Sequence, residues 1–137
     1  MKERLYELGP SGLHRVLEEL SNELGSMPEV AFAYLHGSAI EGRPFHDLDV
    51  AVYFPGDGAG LPQAASLADR LSRRVGMPVD ARVLNHAPVS FVFHALKGYP
   101  LACRDEALLA EVMEDTVRRY LDIAPLLRRS TREAYGE

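Results

Sequence analysis

The residues best able to do chemistry lie in one stretch, His36-Gly37-Ser38-Ala39-Ile40-Glu41-Gly42-Arg43-Pro44-Phe45-His46-Asp47-Leu48-Asp49. Asp47 and Asp49 stand at the mouth of an apolar run, Asp47 to Phe54, that reads as a strand. Side chains alternate along a strand, so Leu48, Val50, Val52 and Phe54 take one face and Asp47, Asp49, Ala51 and Tyr53 the other. Two aspartates at i and i+2 have Cα atoms roughly 6.5 Å apart. Their carboxylates can converge on one or two Mg²⁺ ions, and paired catalytic ions lie about 3.5–4 Å apart. Without a cation, two carboxylates flanked by apolar residues repel each other and lose hydration. The pattern asks for a counter-charge.

Gly37-Ser38 closes the preceding apolar run Val30-Ala31-Phe32-Ala33-Tyr34-Leu35, and Ala39-Ile40-Glu41 can form a helical turn after it. A glycine there lets the backbone approach a ligand closely, free N–H groups at the start of a turn bind phosphate, and the serine hydroxyl adds a donor. A third carboxylate, Asp80, opens the run Val79-Asp80-Ala81-Arg82-Val83-Leu84; if that strand neighbours the Asp47–Phe54 strand, all three aspartates share one edge of the sheet. Each feature alone is common: Asp-x-Asp occurs at solvated strand ends, Gly-Ser in plain turns. Their combination in this order is far more specific, because it places anion donors and metal-binding carboxylates together, as a metal–nucleoside triphosphate requires.

The elements that must position these residues follow from periodicity. Leu13, Val16, Leu17, Leu20 and Leu24 recur at helical spacing over residues 11 to 25, opened by Pro10-Ser11 and stopped by Gly25. The Val30–Leu35 run has the continuous apolar character of a strand buried on both faces. Ala64, Leu67, Ala68, Leu71 and Val75 form a second helical stripe, ended by Gly76-Met77-Pro78. Val79 to Leu84 is a third strand, and Pro88 opens a helix reaching Lys97-Gly98. After a short extended piece, Pro100 to Cys103, Asp105 caps a long final helix that Pro125 should bend or break. Strands and helices mixed in this way around one small sheet give an α/β or α+β two-layer domain, a small mixed sheet flanked by helices.

The stretch from His36 to Phe54, with Asp80, resembles the signature of the nucleotidyltransferase superfamily that includes DNA polymerase beta. There Gly-Ser is followed by Asp-x-Asp and, one hairpin later, by a third carboxylate. More narrowly, the chain is similar to the minimal nucleotidyltransferases, the MNT antitoxins of HEPN/MNT toxin–antitoxin pairs. The segments Val79 to Pro88, Gly98 to Asp105 and Arg119 to Leu127 extend that likeness, which covers about residues 30 to 135. The resemblance implies a nucleotidyltransferase fold in a single minimal domain over residues 1–137, with a C-terminal helical segment at about 105–135. It implies that Gly37 and Ser38 hold the triphosphate of ATP, that Asp47 and Asp49 coordinate Mg²⁺, and that Asp80 completes the metal site and assists deprotonation of the attacking hydroxyl. The implied activity is transfer of AMP from ATP, with two Mg²⁺ ions, to a hydroxyl, a tyrosine on a HEPN-family toxin. Three departures stand out: eight residues separate Ser38 from Asp47, a shorter turn than many members have, His46 stands where a serine is common, and His36 replaces an aromatic residue.

Composition limits the other readings. The 137 residues are 47% hydrophobic and 26% charged, in the range of one globular domain. Fifteen Lys+Arg against twenty Asp+Glu leave a net charge of −5, so direct nucleic-acid binding is not expected. A single cysteine, Cys103, forms no internal disulfide and reads as a small buried residue in a reducing compartment. With no apolar signal core and no membrane-length apolar run, the expected setting is cytoplasmic. None of the five histidines has close metal-ligand spacing, and His46 is expected only to shape its turn. Neither a Gly-x-Ser-x-Gly elbow nor a P-loop is present. The arginines, Arg70, Arg73 and Arg74 and then Arg118, Arg119, Arg128, Arg129 and Arg132, read as solvated helix faces balanced by acids, or as contacts for an acidic or RNA-bearing partner. Two alternative functions stay open: a module that neutralises a partner by occlusion, and a nucleotidyltransferase acting on a small molecule.

Overall fold

In the computed structural model, which describes residues 4–56 and 60–134, the chain runs α1 (Pro10–Gly25), β1 (Phe32–His36), β2 (Leu48–Tyr53), α2 (Leu61–Val75), β3 (Val79–Val83), α3 (Val89–Ala95), β4 (Tyr99–Cys103) and α4 (Glu106–Ala134). The strands form one mixed sheet in the order β3-β2-β1-β4. β1 runs antiparallel to β2 and β4, and β2 runs parallel to β3. A parallel pair cannot be closed by a hairpin, and here α2 is the crossover. Asp80 is thus reached through a helix rather than one hairpin later.

The alternation read along β2 sorts its side chains between two cores. Leu48, Val50, Val52 and Phe54 join Ala33, Leu35 and Val79 under Val16, Leu20 and Leu24 of α1 and Leu67, Leu71 and Val75 of α2. Ala51 and Tyr53 lie on the opposite face with Phe32 and Tyr34, covered by Val92 and Ala95 of α3 and Leu108 and Val112 of α4. The α+β class and the small mixed sheet are as expected; helices cover both faces of the sheet, which adds a further helical layer to the two expected. Burial on both sides explains the unbroken apolar character of Val30 to Leu35.

Caps behave as the sequence suggests. Pro10 opens α1, Gly76 closes α2 in the left-handed region at φ 74°, and the Asp105 carboxylate accepts from the Leu108 N–H at 3.0 Å. Four local expectations change. The extended piece around Pro100 is a fourth strand, β4, at the sheet edge, where a residue without an N–H is tolerated. α3 ends at Ala95 rather than at Lys97. Cys103 is exposed, because it ends that edge strand. α4 runs unbroken through Pro125; the carbonyl that loses its partner there belongs to Leu121, whose side chain is 65% exposed, so water can reach that side of the helix. Among the described residues no helix is long and apolar enough to cross a membrane.

Candidate active site

The sheet register assembles the site. Asp49 of β2 lies opposite His36 of β1 and beside Asp80 of β3, so His36, Asp49 and Asp80 form one row across three strands. Paired residues share a face, with neighbouring strands about 4.8 Å apart. Asp47 lies in the bend just before β2, two residues from Asp49. The row marks the C-terminal end of β1 and the N-terminal ends of β2 and β3, and Asp47 and Asp49 are only partly buried there.

Gly37 links the turn to this row. Its φ is +86°, and a Cβ placed there would collide with the Asp49 carboxylate. Only a glycine brings the backbone this close to Asp49, so the short Ser38–Asp47 connection leaves the turn seated against the carboxylates. The turn itself is held by Glu41, Gly42 and Arg43, whose N–H groups donate to the carbonyls of Gly37, Ser38 and Ala39. Ser38, Ala39 and Ile40 donate none of the turn's backbone hydrogen bonds among the described residues, which leaves their N–H groups for another acceptor.

The donor set tests whether Mg²⁺ suits the site. Asp47 and Asp49 offer hard oxygen ligands at the start of β2, Asp49 beside the close approach of Gly37. Asp80 sits one strand away, and its Oδ2 accepts from Arg82 Nε at 3.2 Å. Among the described residues no group of three His, Cys, Asp or Glu side chains stands gathered as a ready cation cage. Two carboxylates are a set from which Mg²⁺ can be held, its shell completed by water and substrate phosphate oxygens. The residues fit the ion in that mode.

His36 is the residue whose part composition could not reveal. Its Nε2 is buried without a hydrogen-bond partner among the described residues, and its ring meets Phe91 edge-on at 5.6 Å. Burial lowers its pKa below the ordinary 6.5, the Arg82 guanidinium lowers it further, and Asp80 pulls it partly back. The unfolded chain takes up this proton near pH 6.5, whereas the folded chain waits for a lower pH. Acidification through that window therefore favours the unfolded state. Between about pH 7.5 and pH 5.5, the thermal midpoint of a His36→Phe variant should fall less than that of the parent chain; parallel losses would show that His36 does not carry this dependence.

Other residues separate from the site. His46 Nδ1 bonds the Arg4 carbonyl at 2.9 Å and, with the Tyr6–Phe45 bridge, ties the N-terminal segment to the turn. The arginines are largely balanced by acids: Arg70 and Arg74 by Glu23, Arg73 by Asp69, Arg118 by Glu114 and Asp115, and Arg119 by Asp115. The Arg132 side chain lies outside the described residues. Arg82, two residues from Asp80 on the same face, was findable from strand alternation; Lys97, at the α3–β4 corner, carries no sequence signal of its own.

The sequence pattern of "Polymerase beta, Nucleotidyltransferase" matches residues 18–107. No match was found among the curated proteins. Several solved structures share the fold. A tri-AMPylated Shewanella oneidensis HEPN toxin in complex with MNT antitoxin aligns with a TM-score of 0.59 at 18% identity, covering 91% of this chain and 92% of that one. The toxin–antitoxin MntA–HepT aligns at 0.58 and 17% identity, covering 93% and 95%. A toxin–antitoxin structure with AMP-PNP aligns at 0.60 and 19% identity, also covering 93% and 95%.

Proposed function

The chain belongs to the polymerase beta nucleotidyltransferase family, and on that premise we propose that it is a Mg²⁺-dependent adenylyltransferase that moves AMP from ATP to a tyrosine hydroxyl of a HEPN-family toxin, acting as its antitoxin. The observation that carries the reading is the single row of His36, Asp49 and Asp80, with Gly37 pressed against Asp49. The acceptor and partner rest on the shared fold with MNT antitoxins solved alongside HEPN toxins, one of them AMPylated. In this reading residues 1–137 act as one minimal nucleotidyltransferase unit.

Gly37 and Ser38 bind the triphosphate with backbone N–H groups and the serine hydroxyl. Asp47 and Asp49 would hold Mg²⁺, which when bound neutralises phosphate charge and lowers the acceptor's pKa. Asp80 takes the proton of the attacking hydroxyl. The acceptor oxygen forms a bond to the α-phosphorus, the bond from that phosphorus to the bridging oxygen breaks, and pyrophosphate leaves. Arg82 beside Asp80 sets how far that carboxylate is already neutralised.

That same Asp80–Arg82 pair is the observation favouring an occluding module, in which the third carboxylate is structural. The test is incubation of the chain and a HEPN-family partner with ATP labelled at the α-phosphate, with and without chelator. Label on the partner and chelator-sensitive pyrophosphate release support the transferase; a partner that stays unlabelled while being inhibited contradicts it. Within this site Ser38 contributes one neutral hydrogen bond, about 0.5–1.5 kcal/mol. Ser38→Ala should therefore weaken ATP binding or turnover by up to about tenfold, visible in a calorimetric titration with AMP-PNP; unchanged affinity and rate would remove Ser38 from the site.

A further inference from the structure

A cleft of about 650 Å³ opens beside the site, between the turn and the α3–β4 corner, lined by His36, Gly37, Glu41, His94, Lys97 and Tyr99 among others. Its size is that of a small-molecule site. His36 belongs both to this cleft and to the row, and Gly37 in the lining lies against the Asp49 carboxylate, so a ligand held at Asp49 has this space next to it. We propose that the cleft receives the β- and γ-phosphates of the nucleotide and that the Lys97 ammonium is their counter-charge. The inference rests on the transferase reading and adds to it a phosphate-binding residue and the direction in which the triphosphate lies.

Three observations carry it. The first is charge. Lys97 forms no ion pair among the described residues, while the acid in the lining, Glu41, is already bound to Arg43. The cleft is thus lined by a cation that no acid among the described residues pairs with. Lys97 is the lysine among the described residues, and it lines this cleft; a lysine serves phosphate as a compact, mobile point charge.

The second is how firmly the corner is placed. A Cβ at Gly98 would run into the Leu35 carbonyl and come within 3.1 Å of both the Ala95 carbonyl and His36 Cβ. Glycine is what lets the corner close onto the end of β1, and it fixes Lys97 next to the turn. The Gly98 and Lys97 N–H groups donate to Ala95 and His94 carbonyls at 3.0 and 3.2 Å, completing the corner. The third is the support beneath the ammonium. Lys97 Nζ lies 5.1 Å from the centroid of the Phe93 ring, which stacks on Tyr120 at 3.8 Å. A ring face attracts a cation without an acid to pair it, so the ammonium rests on a ring next to the cleft lining, on a flexible stem that can turn to a phosphate.

The test is titration of the parent chain, Lys97→Ala and Lys97→Arg with Mg²⁺–AMP-PNP and, separately, with AMP, after thermal melts confirm that each variant is folded. Lys97→Ala should weaken AMP-PNP binding about tenfold or more, as for loss of one charge-assisted bond. It should leave AMP affinity within about twofold, since AMP lacks the distal phosphates, and Lys97→Arg should recover most of the loss. If the parent binds AMP-PNP and Lys97→Ala binds it equally well, the Lys97 assignment is overturned while the transferase reading stands. Equal losses for AMP and AMP-PNP also overturn it, because Lys97 then serves the nucleoside or the fold. A parent chain that binds neither nucleotide overturns both readings.

Discussion

Replacing Asp49 by asparagine should reduce nucleotidyl transfer by on the order of 10²–10³-fold or more, the cost of removing one preorganised electrostatic group from an active site. Asparagine keeps the size and one oxygen but loses the charge that a cation needs. Asp49 sits in the middle of the row, with His36 on one side and Asp80 on the other, and Gly37 leans on its carboxylate. The fold should survive, since the side chain is only partly buried at the strand mouth and the apolar partners of β2, Leu48, Val50 and Val52, are untouched. Far-ultraviolet dichroism and the thermal midpoint check the fold, and label transfer from ATP checks the activity. A folded Asp49→Asn chain that transfers AMP at near the parent rate would remove Asp49 from the metal site.

Gly37→Ala should act through two separable costs. A residue with a side chain at φ +86° loses about 1–2 kcal/mol against glycine. The new methyl must also displace the Asp49 carboxylate, and a misplacement of about 1 Å in an active site can lower the rate on the order of 10²-fold. Gly42→Ala provides the control. Gly42 has φ +77°, yet a Cβ there meets nothing within 4 Å. Both variants should therefore lose similar stability, while only Gly37→Ala loses most of its transfer activity. Equal activity in the two would show that the contact between Gly37 and Asp49 is not needed.

What the sequence disclosed was whatever repeats along one strand or helix. The stripe Val16, Leu20, Leu24 located α1, and the alternation from Asp47 to Phe54 assigned each β2 side chain to its core. What depends on pairing between distant segments stayed hidden. The five residues of β4 carry a proline and look merely extended; they become a strand only because β1 offers them a free edge. Cys103 follows from the same edge, exposed where composition suggested burial. Pro125 failed to break α4 because the affected turn faces water, which no local propensity records.

The site divides in the same way. Gly37, Ser38, Asp47 and Asp49 stand together in the sequence, and their residue types already suggest phosphate and a hard cation. That Asp80 stands beside Asp49 needed the parallel β2–β3 register, and that His36 stands opposite needed the antiparallel β1–β2 register. Lys97 comes from a segment sixty residues after Gly37 and reaches the turn only through the corner closed by Gly98. A lone lysine between a helix and a strand has no pattern that would mark it.

The central claim is that this chain changes its partner covalently and with turnover. It is tested most directly by the intact mass of a HEPN-family partner after incubation with ATP, Mg²⁺ and a small molar fraction of this chain, with Asp80→Asn run alongside. The account predicts that all of the partner gains mass in whole AMP units, that it stays inactive after separation, and that the gain is lost with the variant. A partner of unchanged mass, inhibited only at equimolar ratio and recovering on separation, would contradict it and leave an occluding module in its place.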